Sequence, residues 1–255
     1  MNEKLCLITG GGSGIGRATA IKFAQNKINT IIVGRRNDAL EETVSLADEN
    51  SDFLKPVKAD LSTENGINDL FNYVKKNFDN NVNILVNNAG SSSKIRSVAH
   101  IPKNQWDEVI NINLNSVYLL CQKFLNDMIK NKDGTIITIS SMAALKPGLL
   151  GGAPYGAAKA GVTNLMGAIN SEFSNDGIRA TAIMPGEVDT QILNNRAKVP
   201  NSGERDTMMK PEDLAEIVFL TANLNSRTNI ETVVVNATYK RDVSDDLKAA
   251  REKTN

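Results

Sequence analysis

Short runs of apolar and β-branched residues recur along the chain, with amphipathic stretches between them. The runs are LCLIT at 5–9, TIIV at 30–33, ILV at 84–86, TIITI at 135–139, ATAI at 180–183 and ETVVV at 231–235. A weaker run, FLKPVKA at 53–59, contains Pro56, which cannot donate to a strand ladder and therefore predicts an edge strand. Strands that alternate with helices indicate an α/β protein with a parallel sheet covered by helices on both faces.

The longer amphipathic stretches predict the helices. They cover residues 15–25, 40–49, 67–78, 106–129, 155–173 and 211–224. Two stretches, 91–104 and 186–210, are irregular, and loops of that length inside a compact domain are usually functional. We expect one domain over residues 1–238, followed by a charged tail over 239–255 that forms a solvated helix or frays.

The composition agrees with a single domain and limits the classes of binding partner that we expect. The chain has 255 residues, 41% of them hydrophobic, and its 29 basic residues balance 29 acidic ones. Without an overall field or a basic run, we expect a small-molecule substrate and no nucleic-acid or membrane partner. The opening MNEKLCLITGGG has a four-residue apolar stretch, shorter than the roughly 7 to 15 residues of a signal-peptide core. We therefore expect a cytoplasmic protein.

The cysteine and histidine content argues against two classes of chemistry, metal binding and hydrolysis with a catalytic histidine. Cys6 and Cys121 both stand in apolar segments without metal-ligand spacing, so we expect reduced packing residues and no metal. The chain has one histidine, His100, and no G-x-S-x-G motif. A hydrolase with a serine–histidine or cysteine–histidine pair is therefore disfavoured.

The first predicted strand leads into a glycine-rich turn, TGGGSGIG at 9–16. Glycines let a backbone turn tightly and approach a pyrophosphate, and the N–H groups of the following helix attract its charge. The spacing is G-x-x-x-G-x-G, and Arg17-Ala18 after Gly16 excludes a P-loop. The residues that we assign to dinucleotide binding in this turn are Gly10, Gly12, Ser13, Gly14, Ile15 and Gly16.

The end of the second predicted strand indicates which dinucleotide binds. An acid at this position would bind the ribose hydroxyls of NAD, but the strand ends in Gly34-Arg35-Arg36. A guanidinium suits the 2′-phosphate of NADP, which it can bind through two N–H groups. We therefore assign Arg35 and Arg36 to that phosphate, with NAD as the alternative through Asp38.

Tyr155 and Lys159 stand four residues apart on a predicted helix and so share one face. A phenol titrates near pH 10, too high for efficient proton transfer at neutral pH, and a neighbouring ammonium favours its ionised form. We therefore expect Lys159 to lower the pKa of Tyr155. Just upstream, Ser140-Ser141 ends a predicted strand, which places a hydroxyl where such sheets bind ligands.

Together these motifs resemble those of the short-chain dehydrogenase/reductase family, over residues from Lys4 to about Asn236. The remaining motifs that carry the resemblance are Asp60 after the third strand, Asn87-Asn88-Ala89-Gly90, Asn113, and Pro185-Gly186-x-Val188-x-Thr190. The resemblance implies a single-domain Rossmann fold, a doubly wound parallel sheet of order 3-2-1-4-5-6-7 with helices on both faces. It also implies an oxidoreductase that uses NADP(H).

The resemblance further implies the roles of the site residues. Tyr155 would protonate the substrate oxygen during reduction, and Ser141 would bind the same oxygen. Lys159 would bind the nicotinamide ribose, and Asn113 would hold a water that links Lys159 to solvent. Asp60 and Asn87 would line the adenosine end and Val188 and Thr190 would contact the carboxamide, in a cofactor site that also includes Leu61, Ala89, Gly90, Pro185 and Gly186. The expected substrate contacts are Ser141, Leu149, Tyr155 and Glu187.

The sequence departs from the family pattern in two places. Thirteen residues separate Ser141 from Tyr155, one more than usual, which leaves open whether Ser140 or Ser141 faces the substrate. The last strand is followed by a charged tail, where many relatives have a glycine-rich close that often builds an oligomer contact. We expect a homodimer or homotetramer, at least a dimer through the helices at 104–131 and 155–173.

Three functions remain open at this point. The first is an enzyme that transfers a hydride between nicotinamide and a ketone, an aldehyde or a secondary alcohol, with NADP(H) or, alternatively, NAD. The second is a catalytically idle protein that senses dinucleotides on the same fold. A sugar-nucleotide epimerase or dehydratase is disfavoured because it needs a larger C-terminal substrate region. The residues do not identify the substrate.

Overall fold

Residues 4–78 and 81–254 are described by a computed structural model, which has one parallel sheet at its centre. Its strands are β1 (Leu5–Thr9), β2 (Asn29–Gly34), β3 (Leu54–Lys58), β4 (Val82–Asn87), β5 (Gly134–Ile139), β6 (Ile178–Pro185) and β7 (Thr232–Val235). Their order across the sheet is β3-β2-β1-β4-β5-β6-β7. The predicted fold class is therefore confirmed, with Pro56 on the edge strand β3.

The helices connect the strands in the predicted alternation. They are α1 (Gly14–Gln25), α2 (Asn37–Ser45), α3 (Glu64–Phe78), α4 (Lys103–Ile110), α5 (Ser116–Asn131), α6 (Ala153–Phe173), α7 (Ser202–Asp206), α8 (Pro211–Ala222) and α9 (Ser244–Glu252). The stretch at 186–210, which looked irregular, contains a 3₁₀ turn at Gln191–Asn195 and the short helix α7.

The sheet separates two apolar layers, because successive side chains of a strand point to opposite faces. Leu5 and Leu7 of β1 belong to one layer, which α3, α5 and α6 cover. Cys6 and Ile8 belong to the other, where α1 and α8 pack through contacts such as the edge-on rings of Phe23 and Phe219. Strands buried on both faces appear in the sequence as continuous apolar runs.

The helix predicted at 106–129 has an interruption that its periodicity does not reveal. The helical path runs from Lys103 to Asn131, but residues Asn111–Asn115 form a π-helical segment between α4 and α5. Such a segment places one extra residue in a turn and is frequently found at functional sites. Asn113 lies in the middle of it and is fully buried.

The ends of β1 and β4 are tied together beside the glycine-rich turn. The Thr9 Oγ1 atom accepts hydrogen bonds from the main-chain N–H groups of Asn88 (2.9 Å) and Ala89 (3.0 Å). The Asn88 side chain in turn donates to the Thr9 carbonyl at 2.9 Å. A Cβ atom at Gly16 would lie 2.3 Å from the Gly10 carbonyl oxygen and 2.4 Å from Asn88 Nδ2. Gly16 is therefore required by packing.

The substitution Gly16→Ala tests this packing. The added methyl group forces the turn and Asn88 apart, and overpacking of this kind typically costs about 1–3 kcal/mol of unfolding free energy. Urea unfolding measures the loss. Gly148→Ala is the matched control, because a Cβ atom there meets nothing within 4 Å in the described structure. Equal stability of the two variants would contradict the packing assigned to Gly16.

Candidate active site

A crevice is expected where the strand order reverses, between the carboxyl ends of β1 and β4. The glycine-rich turn lies on one side of this point and Asn87–Gly90 on the other. Gly10 and Gly14 have φ values of +69° and +51°, a conformation that favours glycine. The first turn of α1 carries no acidic residue, so its positive end is not neutralised locally and suits a pyrophosphate.

A cavity of about 420 Å³ adjoins this turn. It is lined by Gly14, Asp189, Thr190, Gln191, Asn194, Arg205 and Pro211. A Cβ atom at Gly14 would lie 3.1 Å from Thr190 Cγ2, so the segment after β6 reaches the glycine-rich turn. Thr190 therefore lies beside the glycine-rich turn, whereas the neighbouring Val188 is buried and pairs with Met209.

Arg35 and Arg36 are exposed just after β2. Arg35 lies close enough to Asp60 to act on its carboxylate. Hydrogen bonds from the Ser62 side chain and main chain lower the pKa of Asp60, and the Arg35 charge contributes to the same shift. The predicted adenosine end is thus assembled from the ends of β2 and β3.

Two other predicted cofactor residues turn their side chains inward. Leu61 is buried in the apolar core. The buried side chain of Asn87 donates to Thr138 Oγ1 at 3.3 Å. We therefore expect these two residues to contribute to the adenosine end through their main chains. Of the other predicted positions, Pro185 ends β6, and Gly186 donates its main-chain N–H to Val235 at 2.7 Å.

The structure separates the roles of the two serines after β5. Ser140 is buried, and its hydroxyl contacts the Lys159 carbonyl (2.9 Å) and Thr163 Oγ1 (2.8 Å). Ser141 is half-buried, accepts a hydrogen bond from the Ala143 N–H at 3.1 Å and lies close enough to the Tyr155 hydroxyl to lower its pKa. Ser141 is the residue that meets Tyr155, so the question left by the sequence is resolved.

The end of strand β5 holds Lys159 against the face of the Tyr155 ring. Its Nζ donates to the Ile139 carbonyl at 2.7 Å and lies 5.5 Å from the ring centroid of Tyr155. Burial lowers the pKa of Lys159 to about 8. The predicted pairing on one helix face is present, with an ammonium that loses its proton more easily than an exposed lysine.

The expected direction of the Tyr155 pKa is wrong. Burial raises the pKa of Tyr155 above its ordinary value, and the Ser141 hydrogen bond and the charges of Arg96 and Arg196 offset only part of that effect. The reason is that the phenolate loses its hydration in the buried site. The nearby cations that favour phenolate are thus two arginines that the sequence did not suggest.

Asn113 supplies an acceptor next to Lys159. Its Nδ2 donates to the carbonyls of Ser91 and Val109, each at 2.8 Å, and its Oδ1 accepts from no donor in the described residues. A Cβ atom at Gly90 would lie 2.6 Å from that Oδ1 and 3.7 Å from Lys159 Nζ. A buried unpaired acceptor beside an ammonium is consistent with the bridging water that the resemblance implies.

Glu187 does not offer its carboxylate to a substrate, contrary to expectation. Its Oε1 accepts hydrogen bonds from Arg196 (2.6 Å) and Arg241 (2.9 Å), and its Oε2 accepts one from Arg241 at 3.0 Å. Burial alone would raise the pKa of Glu187, but these two guanidiniums lower it below its ordinary value. Glu187 therefore joins the segment after β6 to the C-terminal tail.

The tail is more ordered than its composition predicts. Residues Ser244–Glu252 do form a helix, α9, but the side chains of Arg241 and Asp246 are only 6% and 2% exposed. They bind each other at 2.8 Å. The segment therefore packs on the loop beside the site through buried charges.

Two arginines near the site belong to no recognised sequence motif. Arg17 donates to the Gly12 carbonyl at 2.7 Å and so braces the glycine-rich turn. Arg96 is buried and binds the carbonyl of Gly151 at 2.6 Å. Leu149, a predicted substrate contact, lines a small cavity together with Arg96 and Arg196. Sequence spacing gave no signal for either arginine.

Two observations on possible metal and membrane binding bear on function. Within residues 4–78 and 81–254, no group of three or more His, Cys, Asp or Glu side chains is arranged to hold a metal ion. No helix in the same ranges is both long and apolar enough to span a membrane.

The chain is similar to known proteins in both sequence and structure. The short chain dehydrogenase family pattern matches residues 4–201. The chain belongs to the short-chain dehydrogenase/reductase family. It is an oxidoreductase of that family, and a relative in Thermotoga maritima, a 3-oxoacyl-[acyl-carrier-protein] reductase, is 29% identical over 231 residues, which cover 88% of this chain and 92% of the relative.

Solved structures of family members match over nearly the whole chain. The closed form of a serine dehydrogenase complexed with NADP+ has 28% identity and a TM-score of 0.83, covering 94% of this chain and 97% of that one. A 3-ketoacyl-(acyl-carrier-protein) reductase from Brucella melitensis, complexed with NADH, has 28% identity and a TM-score of 0.82, covering 92% and 97%. Similar family members thus hold either dinucleotide.

The lowered pKa of Lys159 predicts a pH dependence of stability. Unfolded lysine titrates near pH 10.4, whereas Lys159 in the folded protein titrates at about 8. Between these values the unfolded chain binds more protons, so the unfolding free energy rises with pH. Relative to Lys159→Met, the wild type should gain up to about 3 kcal/mol between pH 7.5 and 10.

Urea unfolding at several pH values measures this difference. The control is Lys76→Met at an exposed position of α3, whose difference from wild type should not change with pH. A parallel response of wild type and Lys159→Met would show that Lys159 keeps an ordinary pKa.

Proposed function

We propose that the protein is an NADP(H)-dependent oxidoreductase that interconverts a ketone or aldehyde and the corresponding alcohol, with Tyr155 as the acid/base. The convergence of Ser141, Tyr155 and Lys159 at the crevice carries this proposal. The proximity of Ser141 to the Tyr155 hydroxyl, with Lys159 Nζ 5.5 Å from the phenol ring, supports it. An idle dinucleotide sensor would not need this combination.

The residues present fit a dinucleotide. The glycine-rich turn lies at the start of α1, and the free N–H groups of the first turn of this helix suit a pyrophosphate. The cavity next to Gly14 and Thr190 continues from this turn toward the segment after β6. At the other end, Arg35 and Arg36 are exposed and Arg35 is near Asp60, a position suited to the 2′-phosphate of NADP.

The chemistry assigned to this chain is proton transfer and orientation. When bound, the cofactor supplies a hydride to the carbonyl carbon, or accepts one in the reverse direction. Ser141 and Tyr155 hold the carbonyl oxygen, and the Tyr155 hydroxyl donates its proton there as negative charge develops. Because burial raises the pKa of Tyr155, the phenol is protonated at neutral pH, which favours reduction.

Lys159 and Asn113 support this step. The Arg96 and Arg196 charges favour the phenolate that remains after proton transfer, and Lys159 lies 5.5 Å from the same ring. With a pKa of about 8, Lys159 can itself give up a proton near neutral pH. The unpaired Oδ1 of Asn113 faces the same region, so a water bound there would connect Lys159 to solvent.

The direct test is turnover. Purified protein is incubated with a panel of ketones and aldehydes, with NADPH and NADH in parallel, and loss of reduced cofactor is followed by absorbance. We expect oxidation of NADPH with at least one carbonyl compound and a slower reaction with NADH. Tight binding of NADPH without reduction of any compound would instead favour the sensing protein.

Tyr155→Phe tests the acid/base assignment. The ring stays but the transferable proton is lost, so kcat should fall by about 10²- to 10⁴-fold while the Kd for NADPH stays nearly unchanged. Steady-state kinetics and fluorescence titration measure the two quantities. Tyr73→Phe on α3 removes a hydroxyl away from the site and should retain full activity. Retention of more than half the wild-type kcat in Tyr155→Phe would remove Tyr155 from the mechanism.

Arg35→Ala tests the cofactor preference. Loss of a charge-assisted hydrogen bond to the 2′-phosphate should weaken NADPH by about 10- to 150-fold and leave NADH nearly unaffected. Calorimetric titration with both nucleotides measures the change, and Lys76→Ala controls for general loss of positive charge. Equal weakening of NADPH and NADH would contradict the 2′-phosphate assignment.

The proposals on assembly and location rest on family resemblance and composition. We propose a homodimer or homotetramer in the cytoplasm. Sedimentation of the purified protein measures the oligomer size, and a monomer at micromolar concentration would overturn the first of these.

A further inference from the structure

Arg96 is a buried cation without an anionic partner. Its side chain belongs to the loop after β4, and the residue is 4% exposed. Its guanidinium donates to four neutral oxygens: the carbonyls of Gly151 (2.6 Å), Leu150 (3.3 Å) and Asn195 (3.3 Å) and the hydroxyl of Ser92 (3.2 Å). Within the described residues its Nε donates to nothing, and the ion pairs found there do not include it.

The neighbouring charges do not neutralise it. Three other cations stand in this region, and in the described residues each of them is paired with a carboxylate: Arg196 with Glu187, Lys198 with Glu204, and Arg241 with Asp246. Arg96, next to Arg196, is in none of the ion pairs found there. Burial and then the Arg196 charge lower the pKa of Arg96 to about 10, so it stays charged at neutral pH.

This charge lies beside the proposed acid. The Arg96 guanidinium is bonded to Gly151, where a Cβ atom would be 3.6 Å from Cδ1 of Tyr155. The two side chains thus flank one loop residue. An unpaired buried charge is costly, and ionisable groups that burial perturbs cluster at functional sites.

We propose that Arg96, with Arg196 beside it, binds a carboxylate of the substrate, so that the preferred substrates are small keto acids and the corresponding hydroxy acids. This inference rests on the proposed function and names its substrate class. Because Arg96 and Tyr155 both adjoin Gly151, a small substrate whose carboxylate and carbonyl groups are a few bonds apart fits this arrangement.

One edge of the Arg96 guanidinium can donate hydrogen bonds to a ligand. Its Nη1 is anchored by the 2.6 Å bond to Gly151. Its Nε is free and both bonds of Nη2 are longer, at 3.2 and 3.3 Å. Nε and Nη2 together form a fork that matches the two oxygens of a carboxylate. Entry of the carboxylate requires Ser92 and Asn195 to release Nη2, and both residues belong to loops that border the site.

The reaction balances without a further reagent. A keto acid, NADPH and one proton give a hydroxy acid and NADP+: the carbonyl carbon gains the hydride, the C=O π bond breaks, and its oxygen takes the proton of Tyr155. The carboxylate is unchanged throughout. Arg96 therefore acts on affinity and orientation and donates no proton itself, while its charge also favours the phenolate form of Tyr155.

Matched substrate pairs test the proposal. Acetoacetate is compared with acetoacetamide and pyruvate with pyruvamide, because each amide keeps the shape and lacks the charge. With NADPH, we expect kcat/KM to be at least about 10-fold higher for the acid in one or both pairs. In Arg96→Gln, kcat/KM for the preferred acid should fall by about 10- to 150-fold, and that for the amide should fall by a clearly smaller factor, because the lost charge also acts on Tyr155. Arg96→Lys should recover part of the loss, and Arg227→Gln, at an exposed position, should behave as wild type.

A second measurement needs neither turnover nor a variant. Calorimetry on the wild-type protein with NADPH compares 3-hydroxybutyrate with 3-hydroxybutyramide, and we expect the acid to bind at least about 10-fold more tightly. NADPH and an alcohol cannot react with each other, so the result reports binding alone.

The outcomes separate the two proposals. Equal use of acid and amide in both pairs, or reduction of neutral ketones only, would overturn the carboxylate site while the oxidoreductase stands. An equal loss for acid and amide in Arg96→Gln would show that Arg96 only braces the loops or the phenol. If no carbonyl compound is reduced but 3-hydroxybutyrate still binds selectively, the proposed function fails and the carboxylate site remains.

Discussion

The junction between Thr9 and Asn88 is the constraint on which the site depends. It joins the carboxyl ends of β1 and β4 through the two main-chain bonds to Thr9 Oγ1 and the side-chain bond of Asn88. These strands are neighbours in the sheet although β2 and β3 separate them in the sequence, and the crevice opens where the order reverses. The junction therefore fixes the glycine-rich turn against the loop that carries Gly90 and Arg96, and both halves of the site keep one position relative to each other.

Much of the fold was predictable because parallel strands buried on both faces produce continuous apolar runs. Pro56 also identified an edge strand correctly. The π-helical segment around Asn113 could not be predicted, since one extra residue in a turn leaves the apolar pattern of 106–129 intact. The burial of the tail could not be predicted either. Arg241 of the tail binds Glu187, which is distant from it in sequence.

The site was predictable to the extent that its residues lie close in sequence or in a recognisable motif. Tyr155 and Lys159 share a helix face, and the serines before them end a strand. Which serine meets Tyr155 depends on how the chain leaves β5, and the structure buries Ser140 against α6 instead. The direction of the Tyr155 pKa depends on the balance of burial against charge, which spacing alone does not determine.

The segment after β6 connects the two ends of the site. At one end Thr190 lies against Gly14, in the turn assigned to the pyrophosphate. At the other, Glu187 and Arg196 are bound to Arg241 and Asp246 of the tail. Buried ion pairs add little net stability, but breaking one leaves an uncompensated charge, so they favour one arrangement strongly over its alternatives. The tail thus holds the segment that reaches the glycine-rich turn, and the ion pairs found within residues 4–78 and 81–254 do not include Arg96.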